Sequence, residues 1–360
     1  MGSTSHLPIR AAVVFLLLAA PPAPGAQQPP GLQQAPGAQQ APGPPPGEAE
    51  RAWADAMRLY EQDDYAGAAA AFETVTTLRP SEGTAWAMRG LCEYRLGRME
   101  PALAHIRKGR ALGLADDAQL RQVVQYHEGV LLLGTGEFER AQETLAALSA
   151  SGVDSDEVTL ALGCAVLRVP PGELPTAADA VRQAVGRAGH AERLAARGQL
   201  DQARAAYEAL AADFPGLRHV RYALGRHLVA VREPDRAVEA YAREIEAFPD
   251  HVPARLGIAA IKASSDPAEA LRLAEQAVAL NPRVPLGHFL LGSLLLHTPD
   301  TDRAIRELEI AERSVREDPR LYYALSRAYA RAGRADDAAR ARATFLRLTD
   351  EQQRAGRRVP

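Results

Sequence analysis

Lysine is all but missing from this chain: of 42 basic residues only Lys108 and Lys262 are lysine, and the rest are arginine. Asparagine occurs once, as Asn281, and Pro282 comes directly after it, so no N-glycosylation sequon exists. We read this Arg, Ala, Gly and Pro bias as the coding bias of a GC-rich bacterial genome rather than as arginine gathered to grip anions. Aromatics make up 5% of residues, so alanine must supply much of the close helix packing. The two cysteines, Cys92 and Cys164, are too few for a disulfide framework. A whole 34-residue repeat lies between them, which places their Cα atoms beyond the roughly 7 Å that a bridge tolerates. A net charge of −3 gives no global field to recruit nucleic acid or an acidic membrane.

Catalytic patterns are missing too. There is no P-loop, no strand-linked Gly-x-Gly-x-x-Gly and no Gly-x-Ser-x-Gly. His127-Glu128 begins like a zinc-protease helix motif, but the residue four places after His127 is Leu131 rather than a second histidine. His219 and His227 are too far apart for adjacent turns of one helix, and no histidine pair has metal-ligand spacing backed by nearby carboxylates or cysteines. With no strand predicted, no sheet edge exists on which to build such sites. We therefore assign no catalytic residue, no metal ligand and no cofactor, and expect the chain not to be an enzyme.

The amino-terminal stretch reads as an address. One basic residue, Arg10, precedes the apolar run Ala11–Ala20, and small residues with prolines come next, including Ala23, Gly25 and Ala26. That order is expected of a secretory signal peptide, placed at 1–25. The run is short of the roughly 20 residues that span a bilayer, so membrane contact is expected only if this segment stays uncleaved as an anchor. Residues 26–47 are almost wholly Pro, Gly, Ala and Gln, with too little apolar surface to offset the entropy of ordering, and are expected to form a disordered linker.

The remainder of the chain is periodic. Ala203, Tyr207 and Pro215 answer to Ala237, Tyr241 and Pro249 at an offset of 34 residues, in LDQARAAYEALAADFP and PDRAVEAYAREIEAFP. The same template fits 49–82 (Trp53, Tyr65, Ala68, Phe72, Pro80), 83–116 (Trp86, Gly90, Gly97, Ala102) and 122–155 (Gly129, Gly136, Ala141). It resumes at 250–283 (Gly257, Ala270, Ala277), 285–318 (Gly292, Ala304, Leu308) and 319–352 (Tyr329, Gly333, Ala338). Small residues in each helix let the paired helices approach, and glycines such as Gly97 and Gly198 serve the tight turns between them. Prolines end the second helices because they cannot continue the hydrogen-bond ladder.

An Ala-x3-aromatic pattern followed by Pro at this period resembles the tetratricopeptide repeat family, over roughly 48–352. The resemblance implies an all-α, right-handed solenoid of helix-turn-helix repeats with the first helices lining a concave groove. Two departures stand out. The leading tryptophan survives only in the first two units. In 156–183, PPGELP breaks the chain where a second helix belongs, so we expect a degenerate unit there. It separates sub-solenoids at about 48–169 and 176–352, either as a hinge or ligand-facing bulge or as a rigid irregularity. The last helix, about 335–348, is expected to cap the array with its arginines, and 353–360 to form a disordered tail.

Carried onto this sequence, the family's groove positions fall on Tyr60; Leu91, Tyr94 and Arg95; Tyr126, Val130 and Leu133; and His219, Tyr222 and Arg226. Further on they fall on Ile258, Ile261 and Lys262, then Phe289 and His297, then Tyr323, Arg327 and Arg331. Tyr and Arg are the types that most often anchor partners. The resemblance thus implies a non-catalytic interaction scaffold that takes a protein or peptide partner of some acidic character. No nucleic acid or small-molecule cofactor is expected, and the chain is expected to be exported, periplasmic or secreted. The alternatives are an accessory subunit of an envelope assembly or maturation pathway, such as outer-membrane biogenesis, cytochrome maturation or polysaccharide export, and a glycan-binding solenoid.

Overall fold

The computed structural model describes residues 47–356, so the expected leader (1–25), the linker up to residue 46 and residues 357–360 lie outside the described residues. Seventeen α-helices and one 3-10 turn make up the described residues, which contain no strand. None of the described helices is long and apolar enough to cross a membrane. The helices divide by their contacts into two units that meet in sequence at Gly198.

The first unit runs α1 (Glu48–Glu61), α2 (Tyr65–Leu78), α3 (Gly83–Arg95), α4 (Met99–Leu112), α5 (Ala118–Gly134), α6 (Phe138–Ala150), α7 (Asp156–Leu167) and α8 (Asp179–Ala196). Its helices pack as consecutive pairs, α1 with α2 through α7 with α8, and each second helix also packs on the next first helix. The starts are set locally. The carboxylates of Asp64 and Asp117 and the hydroxyl of Ser155 accept backbone N–H groups in the first turns of α2, α5 and α7, taking up donors that a helix leaves without partners. Gly97 and Gly136 turn the chain between the two helices of a pair at φ of 75° and 78°, where a side chain would be strained. The core is Phe72, Leu91, Ile106, Leu131, Leu132, Leu145 and Leu162, all essentially without solvent contact.

The segment 156–183 contains a complete first helix, α7, then a break at 168–178 with a 3-10 turn at Leu174–Thr176. The helix that closes the pair is α8, which the 34-residue template assigns to the first helix of the next repeat. Two arginines near its end fix it to this unit: Arg193 and Arg197 both bond Asp154, which lies just ahead of α7. The division between units therefore comes at Gly198, about one helix later than the 169–176 break read from the sequence, and 156–183 lies inside the first unit.

The second unit opens with α9 (Leu200–Asp213), which packs on α10 (Val220–Ala230). Four pairs come after it: α10 with α11 (Pro234–Ala247), α12 (Val252–Lys262) with α13 (Pro267–Leu280), α14 (Pro285–Leu295) with α15 (Thr301–Glu312), and α16 (Pro319–Arg331) with α17 (Ala335–Gly356). Proline sits in the first turn of α11, α12, α13, α14 and α16, where the missing N–H costs nothing. The last helix reaches Gly356, eight residues past the Leu348 expected. One core cluster runs through the pairs from Tyr222 and Tyr241 to Tyr329 and Leu348.

Candidate partner-binding face

The predicted groove residues fall into two sets, seven in the first unit and eleven in the second. In the first unit Arg95 of α3 donates to the hydroxyl of Tyr65 at 2.7 Å, and its guanidinium lies 4.6 Å from that ring's centre. Tyr60 meets the same ring edge-on at 5.5 Å. Burial, aided by its bond to Asp63, pushes the Tyr65 hydroxyl up to about 12, and burial raises Tyr60, Tyr94 and Tyr126 as well. These phenols therefore act as neutral hydrogen-bonding groups. Tyr94 of α3 and Tyr126 of α5 both stand edge-on to His127, at 4.9 and 5.4 Å. Tyr60, Tyr94, Arg95, Tyr126 and Val130 are half-buried.

The second unit offers more open surface. Tyr323 is 51% exposed, packs on Phe345 at 5.6 Å and carries the Arg327 guanidinium 5.8 Å from its ring. Arg320, held by Asp318, lies 5.9 Å from the Phe289 ring, joining α14 to α16. Arg331 donates to the carbonyl of Leu296 at 2.8 Å, so it ties α16 to the end of α14 although its side chain is exposed. His297 is exposed; His219, Arg226, Lys262 and Phe289 are half-buried. Val130, Lys262 and His297 take no part in these clusters.

Four of the predicted residues are corrected. Leu91, Tyr222 and Ile258 are core residues, 2%, 9% and 6% exposed, and Leu133, predicted beside them, is a fourth at 1%. Tyr222 lies against the Tyr241 ring at 5.6 Å, and Tyr241 itself fits between Gly225 and Gly257 of two successive first helices. The Tyr222 ring is thus taken up by the second helix of its own pair and by His251 at the start of the next one, 5.2 Å away.

Two features escaped the sequence reading. A cleft of about 440 Å³ lies between α9, α10 and α11, lined by Glu208, Ala211, Arg221, Leu224, Leu228, Arg236, Glu239 and Arg243. Its α10 wall is on the face roughly 100° or more around the helix from Tyr222 and Arg226. Arg236 is already bonded to Glu208 and Glu233 at 2.7 and 2.6 Å. The second feature is a convergence of His219, Glu244 and His251. They stand 25 and 7 residues apart in order, spacings that meet only because one repeat stacks on the next.

The tetratricopeptide repeat profile matches residues 54–115, 188–252, 222–261, 255–312 and 299–351. No curated protein sequence matches the chain. Solved structures with a similar helix arrangement include MamA from Desulfovibrio magneticus RS-1, 20% identical, covering 49% of this chain and 97% of its own at a TM-score of 0.40. They also include the APC/C hetero-tetramer Cut9-Hcn1, 12% identical, with 84% and 87% covered at 0.40. Yeast Tom70 is 15% identical, with 84% and 69% covered at 0.36. With the profile spanning well over half of the residues and the helices pairing as that repeat requires, the chain belongs to the tetratricopeptide repeat family, whose members serve as protein-interaction scaffolds.

Proposed function

We propose that this chain is an exported, non-catalytic scaffold that holds an extended peptide segment of a partner protein along the first helices of its second unit. The observation that carries the reading is an aromatic ring lying under an arginine on each of two successive first helices, half-buried at Phe289 and exposed at Tyr323. Phe289 lies under Arg320, and Tyr323 under Arg327. Tyr and Arg combine large contact area with directional donors and dominate interface energetics. The surrounding arginines favour a partner with acidic side chains. The leader-like segment at 1–25 supports a site of action in the cell envelope, which fractionation with amino-terminal sequencing of the mature chain tests.

The binding test is selection from a displayed peptide library on the full chain. Ligands with acidic and apolar residues interleaved are expected. Arg226→Glu combined with Arg327→Glu is expected to weaken their binding about ten-fold or more while helicity stays constant. Selection of no peptide, or unchanged binding by the double variant, contradicts the reading.

A further inference from the structure

The start of α10 is built in an unusual way. His219 holds a left-handed backbone, φ 72°, and its own side chain does not cap the helix. Glu244 of α11, fully buried, does so instead. Its Oε1 accepts the His219 N–H at 2.6 Å, and its Oε2 accepts those of Arg221 and Tyr222 at 3.1 and 3.2 Å. The start of α12 is capped by His251, also fully buried, whose Nδ1 accepts the Ala254 N–H at 3.0 Å. The two caps touch: Nδ1 of His219 lies 2.8 Å from Nε2 of His251, and that Nε2 lies 3.4 Å from Glu244 Oε1.

These contacts fix where the protons are. Since Nδ1 of His251 accepts an N–H, the neutral ring carries its proton on Nε2 and donates it to Nδ1 of His219. An added proton then has no seat on either ring. On His251 Nδ1 it would face the Ala254 N–H, and on His219 Nδ1 it would face the His251 Nε2–H. The same logic excludes a cation held by this trio, because a metal needs the Nε2 lone pair of His251 while its Nδ1 is already an acceptor.

We infer that the His219–His251 pair is an acid-released latch between α10 and α12: uptake of one proton by either ring breaks the bond between the histidines or the cap of α12. The groups facing it are Glu244 and Tyr241 from α11, Arg221 and Tyr222 from α10, Arg255 from α12, and the Arg218–Asp250 ion pair. Glu244 supplies the pull, since its carboxylate draws a protonated His251 ring away from Ala254. Its own titration acts in the opposite sense. Burial raises the Glu244 carboxyl despite its three N–H bonds, so the folded chain accepts a proton there more readily than the unfolded one, and neutralising it opposes acid opening.

The test is amide hydrogen exchange on the full chain at pH 7.5 and 5.5, read at Ala254 and corrected for intrinsic rate. These values bracket the roughly 6.5 at which an ordinary imidazole titrates. Protection at Ala254 is expected to fall about ten-fold at the lower pH in the native chain. In His251→Asn, whose side-chain oxygen still caps α12 but does not titrate, protection is expected to hold. Protection that is independent of pH in the native chain, or that falls equally in His251→Asn, overturns the latch. So does one-equivalent zinc binding that His251→Asn abolishes. If His251→Asn fails to fold, ring 15N shifts of the native chain decide: Nε2–H on His251 at pH 7.5 supports the latch, and Nδ1–H overturns it.

Discussion

A Cβ atom placed on Gly163 would stand 1.8 Å from the carbonyl oxygen of Val185. The reverse contact is equally tight, with Gly189 facing the carbonyl oxygen of Thr159 at 1.8 Å. Backbone thus meets backbone where α7 crosses α8, and this crossing binds α8 to the first unit. Neither carbonyl can move without parting the helices. Gly163→Ala or Gly189→Ala is therefore expected to destabilise the first unit by about 2–4 kcal/mol in denaturant melts. Gly186→Ala, on the same helix with open space around its Cβ position, is expected to stabilise it by about 0.5–1 kcal/mol.

In the second unit Tyr241 occupies a slot that two glycines leave. A Cβ on Gly225 would stand 2.4 Å from one edge of its ring, and a Cβ on Gly257 2.6 Å from the other. Tyr241→Ala is expected to cost about 3–5 kcal/mol by leaving that slot empty. Because the three residues share one cavity, Gly257→Ala added to Tyr241→Ala is expected to cost less than the sum of the two alone, by about 0.5 kcal/mol or more. Strict additivity in the double-mutant cycle contradicts this packing.

His127 makes the first unit acid-sensitive. Its Nδ1–H donates to the Val123 carbonyl at 2.7 Å, and burial holds the imidazole down to about 4. Between roughly 6.5 and 4 the unfolded chain takes up a proton that the folded chain refuses, so acid favours unfolding. This contribution is fully present above about pH 6.5 and is lost progressively as pH falls toward 4, amounting to about 3 kcal/mol. His127→Leu is expected to flatten that part of the stability profile, measured as urea midpoint against pH.

The thiols of Cys92 and Cys164 are buried, and burial pushes both up to about 12. As protonated thiols they are poor nucleophiles. In the native chain neither is expected to react with a thiol reagent at pH 8 on the timescale of minutes. Both are expected to react at once in denaturant, and fast labelling without denaturant contradicts the burial.

The helical repeat was legible because its markers act locally. Proline two residues past Leu78, Asp213, Ala247 and Leu280 ends a helix by its own chemistry, and Gly97 or Gly333 marks a turn through φ alone. The partner of α8 was not legible. Its sequence fits a first helix of the template, and the tight crossings at Gly163 and Gly189, with the bonds of Arg193 and Arg197 to Asp154, decide which neighbour it takes. Leu91, Tyr222 and Ile258 were misplaced for a related reason: the repeat period gives a residue's position around a helix but not how far the next repeat covers it. The meeting of His219, Glu244 and His251 was invisible because stacking alone joins residues so far apart in sequence. Arg232 shows the limit of turn signals, since it adopts φ 64° where other turns use glycine.

A partner lying along the first helices of the second unit would be within reach of Tyr323 and away from the cleft beside α11. Photo-crosslinking from single positions of the full chain separates the two, with a photoreactive phenylalanine analogue replacing Tyr323 on α16 or, as the contrast, Glu239 on α11. Crosslinks to a selected peptide from position 323 and none from position 239 are predicted. Crosslinking from 239 without any from 323 contradicts the proposed binding face.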